Sequence, residues 1–419
     1  MLRVIRKVNK LLNEEENMLV NIVGLGYIGL PTSLMLAAKG NDVIGTDINE
    51  ELVLKLNSGL VTFEENGLQN LFKDAIDNGI TFSNDYSVDA DVYIVTVPTP
   101  YDIETKKIDP TFLIDAVKTI LGVSNKGAII VIESTVSPGT INKYIRPLLL
   151  DSSKKFELVH APERILPGAM IDELISNPRT VGADDEEVGN IIVDLYKTFC
   201  IADISLTTIE VAEMSKVVEN TFRDINIAFA NELTKICKKA QLDIYEVIKI
   251  ANQHPRVNIL SPGPGVGGHC ISVDPWFLVG DYPEDANLIL QARIVNDSMP
   301  AYVLGRLREV MGLNQVVDFS RVGIYGITYK ENVDDIRESP TMQFYSILNS
   351  EEKNMKFYDP MLKRKIIDNQ MDSLDLFLEN LDVLVVFVAH DEIKNIKFNE
   401  NLIIFDTKNI IEDRVKETL

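Results

Sequence analysis

The chain has 419 residues, 46% of them apolar and 25% charged, an ordinary balance for a soluble globular protein of two to four domains. With 41 Lys and Arg against 63 Asp and Glu the net charge is −22, which argues against a general nucleic-acid binder, because phosphate contact needs clustered cations. Three scattered cysteines, Cys200, Cys237 and Cys270, speak against a disulfide framework and for a reducing, cytoplasmic setting, and no apolar run is long enough to span a bilayer.

Residues 1–18 read as a short amphipathic extension without the apolar core or cleavage site of a signal peptide, and Met18 is an alternative start. The run 19–24 predicts a strand that breaks into glycines. A helix follows at 31–40 and a second strand at 42–47. Further buried strands are expected at 92–97, 128–132 and 156–160, with helices between them, as at 111–121. Alternating strands and helices specify a parallel sheet covered on both faces, so 19–205 is expected to be a Rossmann-like dinucleotide-binding domain. Residues 208–239 contain no glycine or proline and predict one long helix, followed by another at 243–252. A Gly/Pro-rich loop, 261–270, separates these from helical signals at 286–299 and beyond. The segment 206–310 is thus expected to be a central helical domain and a dimer platform. Strands return at 322–325, 356–358, 383–388 and 402–405, which makes 311–419 a second, smaller Rossmann-like domain. The fold class is α/β.

The first loop carries Gly24-x-Gly26-x-x-Gly29 between a strand and a helix, as the dinucleotide fingerprint requires. Gly24 allows the tight turn, Gly26 the approach of a pyrophosphate, and Gly29 close packing of helix on strand. Tyr27 and Ile28 complete the loop, and the helix N-terminus offers free amides to an anion. Asp47, eighteen residues past Gly29, is placed to accept hydrogen bonds from a ribose diol and to repel a 2′-phosphate, which favours NAD over NADP. Thr99 and Thr135 sit past later strand ends, facing the same crevice. Each hydroxyl serves equally well to satisfy a loop backbone.

Cys270 ends the Gly/Pro-rich loop in polar, flexible surroundings, where a thiol can stand beside a ligand, whereas Cys237 and Cys200 look structural. Asp274, four residues on, is either a base or a cap before Pro275. Lys216, Asn220 and Arg223 are spaced i, i+4, i+7 and share one face of the long helix. Lys330 and Arg337 flank an acidic turn. The four histidines are dispersed and no cysteine pair exists, so no metal site is expected.

From about Met18 onward these motifs together resemble the nucleotide-sugar 6-dehydrogenases, the family that includes UDP-glucose and GDP-mannose dehydrogenases. The resemblance rests on VGLGYIGLP, VPTP, IESTVSPGT, HAPERILPG, the helix with Lys216 and Asn220, GPGVGGHCISVDPWF and YGITYKENVDDIRESP. The chain departs from the UDP-glucose pattern, which has a serine where His269 stands, a lysine where Val273 stands and a second glutamate where Pro167 stands. HPRVN and VDPWF look most like members acting on UDP-N-acetylmannosamine, with UDP-N-acetylglucosamine and UDP-glucose as the alternatives. A non-catalytic protein that binds NAD or a nucleotide sugar is the remote reading.

The resemblance implies oxidation of a UDP-sugar C6 alcohol to the carboxylate with two NAD per sugar. Cys270 matches the nucleophile that forms a thiohemiacetal and then a thioester, a role suited to a thiolate. Lys216 and Asn220 are expected to stabilise the oxyanion. Asp274 or Glu163 is expected to activate the hydrolytic water, with Asp274 favoured by its tie to the cysteine loop. Substrate contacts are expected from Arg164, Ile165, Lys216, Asn220, Arg223, Gly267, Tyr329, Lys330 and Lys408. His254 and Arg256 match a segment that reaches across from a partner subunit in a homo-oligomer, and Arg337 matches a residue near the NAD pyrophosphate. Converging cations would let a −22 chain bind a diphosphate.

Overall fold

The computed structural model describes residues 18–125, 127–268, 270–412 and 416–419, so residues 1–17 of the extension expected over 1–18, and His269, lie outside the described residues. The chain divides into two compact units, one ending at Val217 and the other beginning at Val218.

The first unit is built on eight strands: β1 (Leu19–Val23), β2 (Asp42–Thr46), β3 (Thr81–Ser83), β4 (Val92–Val95), β5 (Ile129–Ile132), β6 (Glu157–His160), β7 (Arg179–Ala183) and β8 (Ile204–Thr207). They lie in the order β3-β2-β1-β4-β5-β6-β7-β8. Every pairing is parallel except β6 with β7, so the expected all-parallel sheet is corrected at that junction. The central strands read as nearly continuous apolar runs because both faces are covered. Val20, Ile22, Ile94 and Val131 pack with Leu30 and Leu34 on one face. Val23, Tyr93, Val95, Ile130 and Ile132 pack with Leu113, Val117 and Ile120 on the other. Strands β3, β7 and β8 escaped the sequence reading. β3 is three residues long, β7 opens with Arg179 and Thr180, and β8 is a half-exposed edge.

The first helix runs Gly29–Ala38, two residues earlier than its apolar pattern. The Leu30 amide already bonds the Gly26 carbonyl, at 3.1 Å, so the glycine loop itself is the helix start. The long helix is Ile209–Ala240, with Glu210 in its first turn and Lys238 and Lys239 in its last, where each charge suits the helix dipole.

In the second unit Ile244–Ala251 is capped by Asp243, whose carboxylate accepts the Tyr245 amide at 2.8 Å. Helices Asp274–Asp281, Asn287–Asp297 and Met299–Leu313 follow. The helical signals expected from 286 onward divide at Ser298, where a new helix begins at Met299 with Pro300 in its first turn. The second sheet is wholly parallel: β9 (Val322–Tyr325), β10 (Lys356–Tyr358), β11 (Val383–Val386), β12 (Ile403–Asp406) and β13 (Glu417–Thr418), in the order β10-β9-β11-β12-β13. Ile324, Val385 and Phe405 face one core, and Tyr325, Leu384 and Ile404 the other.

Candidate active site

The dinucleotide loop lies at the carboxyl end of β1, where open α/β sheets bind ligands. Its three glycines have three different reasons. Gly24 has φ of 98°, which favours glycine. A Cβ on Gly29 would stand 1.9 Å from the Gly24 carbonyl oxygen and 2.3 Å from Thr96 Oγ1, so helix and strand meet only over a bare backbone. A Cβ on Gly26 would meet nothing within 4 Å, leaving open space beside exposed backbone. That is what a pyrophosphate needs, and the site fits NAD. Tyr27 packs its ring 4.5 Å from that of Phe63, and Ile28 is the residue before the helix.

Asp47 follows β2. Its two oxygens accept the Leu25 amide at 2.7 Å and the Asn49 amide at 2.8 Å, which ties the carboxylate to the glycine loop. Each oxygen retains a lone pair for a ribose hydroxyl. Thr99 donates its hydroxyl to the Thr135 carbonyl at 2.6 Å, so this hydroxyl links the loops after β4 and β5. Thr135 itself is half-buried.

A charge network missed by the sequence reading lies at the carboxyl ends of β5 and β6. Buried Arg179 pairs with Glu133 at 3.0 Å and with Glu163, and Tyr196 bonds Glu133 at 3.2 Å. Two carboxylates therefore share one guanidinium. Burial pushes the Glu133 carboxyl up to about 7, against the pull of Arg179. Glu163 also accepts the Arg164 amide at 2.6 Å. The Arg164 guanidinium binds the Pro178 carbonyl and Thr180, each at 2.8 Å. Ile165, which follows Arg164, is 5% exposed and packs in the core. No sequence signal announced the network, because its members come from four separated segments. Lys216, at the end of the first unit, is 5% exposed.

In the second unit, Asn220 and Asp274 meet in the interior. Asn220 Nδ2 donates to Asp274 Oδ2 at 2.6 Å, and both residues are at least 95% buried. The Cys270 carbonyl accepts the Val273 amide at 3.1 Å and the Asp274 amide at 2.9 Å, so the half-buried cysteine stands in the turn that starts helix Asp274–Asp281. Asp274 is the first residue of that helix, and Val273 occupies the capping position, which corrects the alternative reading of Asp274 as the cap. Cys237 is 5% exposed and Cys200 3%, as expected of structural cysteines. Arg223 is half-buried.

The cysteine loop lies against the smaller α/β region. A Cβ on Gly267 would be 2.6 Å from the Glu338 carbonyl and 2.8 Å from Tyr329 Cβ, and one on Gly268 would be 2.7 Å from the Tyr329 ring. The Gly268 amide bonds the Arg337 carbonyl at 3.0 Å. Lys408 Nζ stands 3.4 Å from where a Cβ on Gly263 would be, and burial pushes its ammonium toward deprotonation. Tyr329 and Lys330 are half-buried on the loop after β9. Arg337 pairs with Asp335 at 2.6 Å. His254 and Arg256 are exposed on the loop after helix Ile244–Ala251, joined by an Arg256 amide to His254 Nδ1 bond of 3.3 Å. Among the described residues no His/Cys/Asp/Glu group has metal-binding geometry, and no helix is long and apolar enough to cross a membrane.

Three family models match the chain: the NAD binding domain of the UDP-glucose/GDP-mannose dehydrogenase family over residues 18–200, its central domain over 210–298 and its UDP binding domain over 323–413. The chain is 43% identical over 408 residues to a UDP-N-acetyl-D-mannosamine dehydrogenase of Methanocaldococcus jannaschii, covering 94% of this chain and 93% of that one. It is 38% identical to a protein of the same name from Salmonella typhi, covering 90% and 94%. Among solved structures, the UDP-D-ManNAc dehydrogenase of Pyrococcus horikoshii superposes with a TM-score of 0.86 at 35% identity, covering 96% of this chain and 99% of that one.

Proposed function

This chain belongs to the UDP-glucose/GDP-mannose dehydrogenase family, and we propose that it oxidises UDP-N-acetyl-D-mannosamine at C6 to UDP-N-acetyl-D-mannosaminuronate. The substrate is supported by the names of its relatives, and the chemistry by one juxtaposition. Buried Asn220 orients Asp274, whose own amide bonds the carbonyl of Cys270. The Asn220 amide and the Asp274 carboxylate are thereby held together at the start of the helix that follows the cysteine loop.

Gly24, Gly26, Gly29 and Asp47 would hold NAD, which when bound accepts hydride. Cys270 sulfur adds to C6 of the aldehyde formed in the first oxidation, giving a thiohemiacetal. Loss of hydride and a proton from that adduct leaves a thioester. Water then attacks the acyl carbon and the C–S bond breaks, returning the thiolate. Asp274, held by Asn220, accepts the water's proton, and Lys216 and Asn220 stabilise oxygen-centred charge at C6. The balance is one alcohol, two NAD⁺ and one water to one carboxylate, two NADH and three protons. Glu163 is the less favoured base because its carboxylate is paired with buried Arg179.

Tyr329, Lys330, Lys408, Arg164, Ile165, Arg223 and Gly267 are proposed to contact the substrate, with Arg337 toward the cofactor. The three-part division at about 205 and 310 is proposed as the functional one. We also assign a homodimer. Val211, Val218, Phe222, Phe229 and Ile236 are 46–65% exposed at helical spacing along Ile209–Ala240, and a helix presents such a stripe when it packs on a partner. His254 and Arg256 would then reach the partner's site. A cytoplasmic location is proposed because the three cysteines are unbridged.

The test is NADH yield with limiting UDP-sugar. Two NADH per UDP-N-acetylmannosamine, with little from UDP-N-acetylglucosamine, is expected. Two from the glucosamine epimer alone would move the substrate, and none from either, or from UDP-glucose, would refute the reading.

A further inference from the structure

The loop that ends at Cys270 is anchored at its base by a hydrogen-bond chain that the proposed chemistry does not use. The Gly263 amide donates to Asn231 Oδ1 at 2.9 Å. Asn231 Nδ2 donates to Asn296 Oδ1 at 2.8 Å. Asn296 Nδ2 donates in turn to Asp224 Oδ1 at 2.8 Å and to the Asp224 carbonyl at 3.0 Å. Arg293 closes the chain, bonding Asp224 Oδ1 at 2.6 Å and also Asp297. Asp224, Asn231 and Asn296 are completely buried.

The two ends fix the orientation of every amide between them. A backbone N–H can only donate, so Asn231 turns its oxygen to Gly263 and its amino group to Asn296. An ionised carboxylate can only accept, so Asn296 turns its amino group to Asp224. All the bonds thus run one way, from a loop amide to a buried carboxylate neutralised by Arg293, and bonds aligned in this manner strengthen one another. Asn226, further back on the long helix, adds a second hold: it donates to the Asn258 carbonyl and accepts the Leu260 amide, both at 3.0 Å.

We infer that Asn231 and Asn296 are positioning residues for the reaction at Cys270, tying the base of its loop to the Asp224–Arg293 pair and so fixing where the thiol stands. The inference rests on the reading of Cys270 as nucleophile. An apolar side chain of equal size at 231 would fill the space yet strand the Gly263 amide and the Asn296 oxygen, the expensive way to lose a hydrogen bond. An acid at 231 keeps both bonds while protonated, since it accepts through one oxygen and donates through the other. Once ionised it can no longer donate to Asn296.

The experiment uses the full chain carrying N231L or N231D. Three quantities are followed: kcat from pH 5 to 9, the NAD dissociation constant, and the rate at which iodoacetamide alkylates Cys270, read by peptide mass spectrometry. The charged groups about position 231 are Lys235 one turn along, Asp224, Arg293 and Asp297 beyond Asn296, and Lys408 facing Gly263. Lys408 draws the new carboxyl toward ionisation, and burial opposes it. N231L is expected to lower kcat about tenfold at every pH and to speed alkylation severalfold, with NAD affinity within twofold of the parent. N231D is expected to match the parent at low pH and to fall about tenfold across a new ionisation absent from the parent profile. An N231D profile parallel to the parent through pH 9, or an N231L protein with parental kcat and alkylation rate, overturns the inference. Should N231L not fold, N231D decides alone. Absence of NADH from the parent with any UDP-sugar would fail the functional reading instead, and the alkylation rates would still decide the anchoring role.

Discussion

Alanine at Gly26 and alanine at Gly29 are expected to have opposite effects, although the two glycines belong to one loop. At Gly29 the residue is helical, and intrinsic propensity favours alanine by about 1 kcal/mol. The obstacle is steric. The new methyl would lie 1.9 Å from the Gly24 carbonyl oxygen, against roughly 3.5 Å for an unstrained contact, so backbone must retreat by more than an ångström. Overpacking of this kind costs about 1–3 kcal/mol, and the upper end applies because the obstructing atom is main chain. For a unit of this size that is a melting shift of roughly 6–12 °C. At Gly26 the methyl meets nothing within 4 Å, so stability should stay within about 0.5 kcal/mol of the parent. The same methyl occupies the space a pyrophosphate would take, and NAD affinity should fall at least tenfold, about 1.4 kcal/mol. Thermal melts without cofactor and titration of NADH fluorescence measure the two quantities separately. A G26A protein that binds NADH within twofold of the parent would refute the assignment of that loop. A G29A protein that melts like the parent would refute the packing argument.

Other expectations follow from single residues. C270S should leave NADH binding intact and abolish formation of the uronate, measured by product chromatography. His160 is wholly buried, with Nδ1 bonded to the Ile132 carbonyl at 2.8 Å, and burial pushes its pKa down to about 4 from 6.5. The unfolded chain therefore binds the extra proton first, and stability should decline as pH falls from 6.5 toward 4, by up to about 3 kcal/mol. H160F should flatten that limb in denaturant titrations at several pH values. Glu133 acts in the opposite sense. Its folded pKa lies above its unfolded one, so its contribution falls as pH rises from 4.5 through 7, and the stability of E133Q relative to the parent should increase over that window. F222E should shift sedimentation from the proposed dimer toward monomer, because Phe222 is 65% exposed on the apolar stripe and each such dimer would carry the charge twice.

The properties that depend on neighbours in sequence were legible in the chain. The apolar runs of β1, β4 and β5, the glycine loop opening a helix, and the unbroken stretch through Ile209–Ala240 are local patterns with local causes. The spacing of Lys216, Asn220 and Arg223 is likewise a property of one helix, and the cysteine loop announced itself by composition. Tertiary structure alone decided which polar groups meet. Asn220 finds Asp274 54 positions away, Arg179 gathers Glu133 and Glu163, and Asn231 joins Gly263 to Asn296. It also turned Ile165 inward and ran β7 antiparallel to β6. The physical reason is that periodicity records the direction of a side chain relative to its own backbone, whereas a buried hydrogen bond is chosen by whatever the fold brings opposite. Burial makes an unpaired polar group costly, so those partnerships are fixed by the packed interior and leave no period in the sequence.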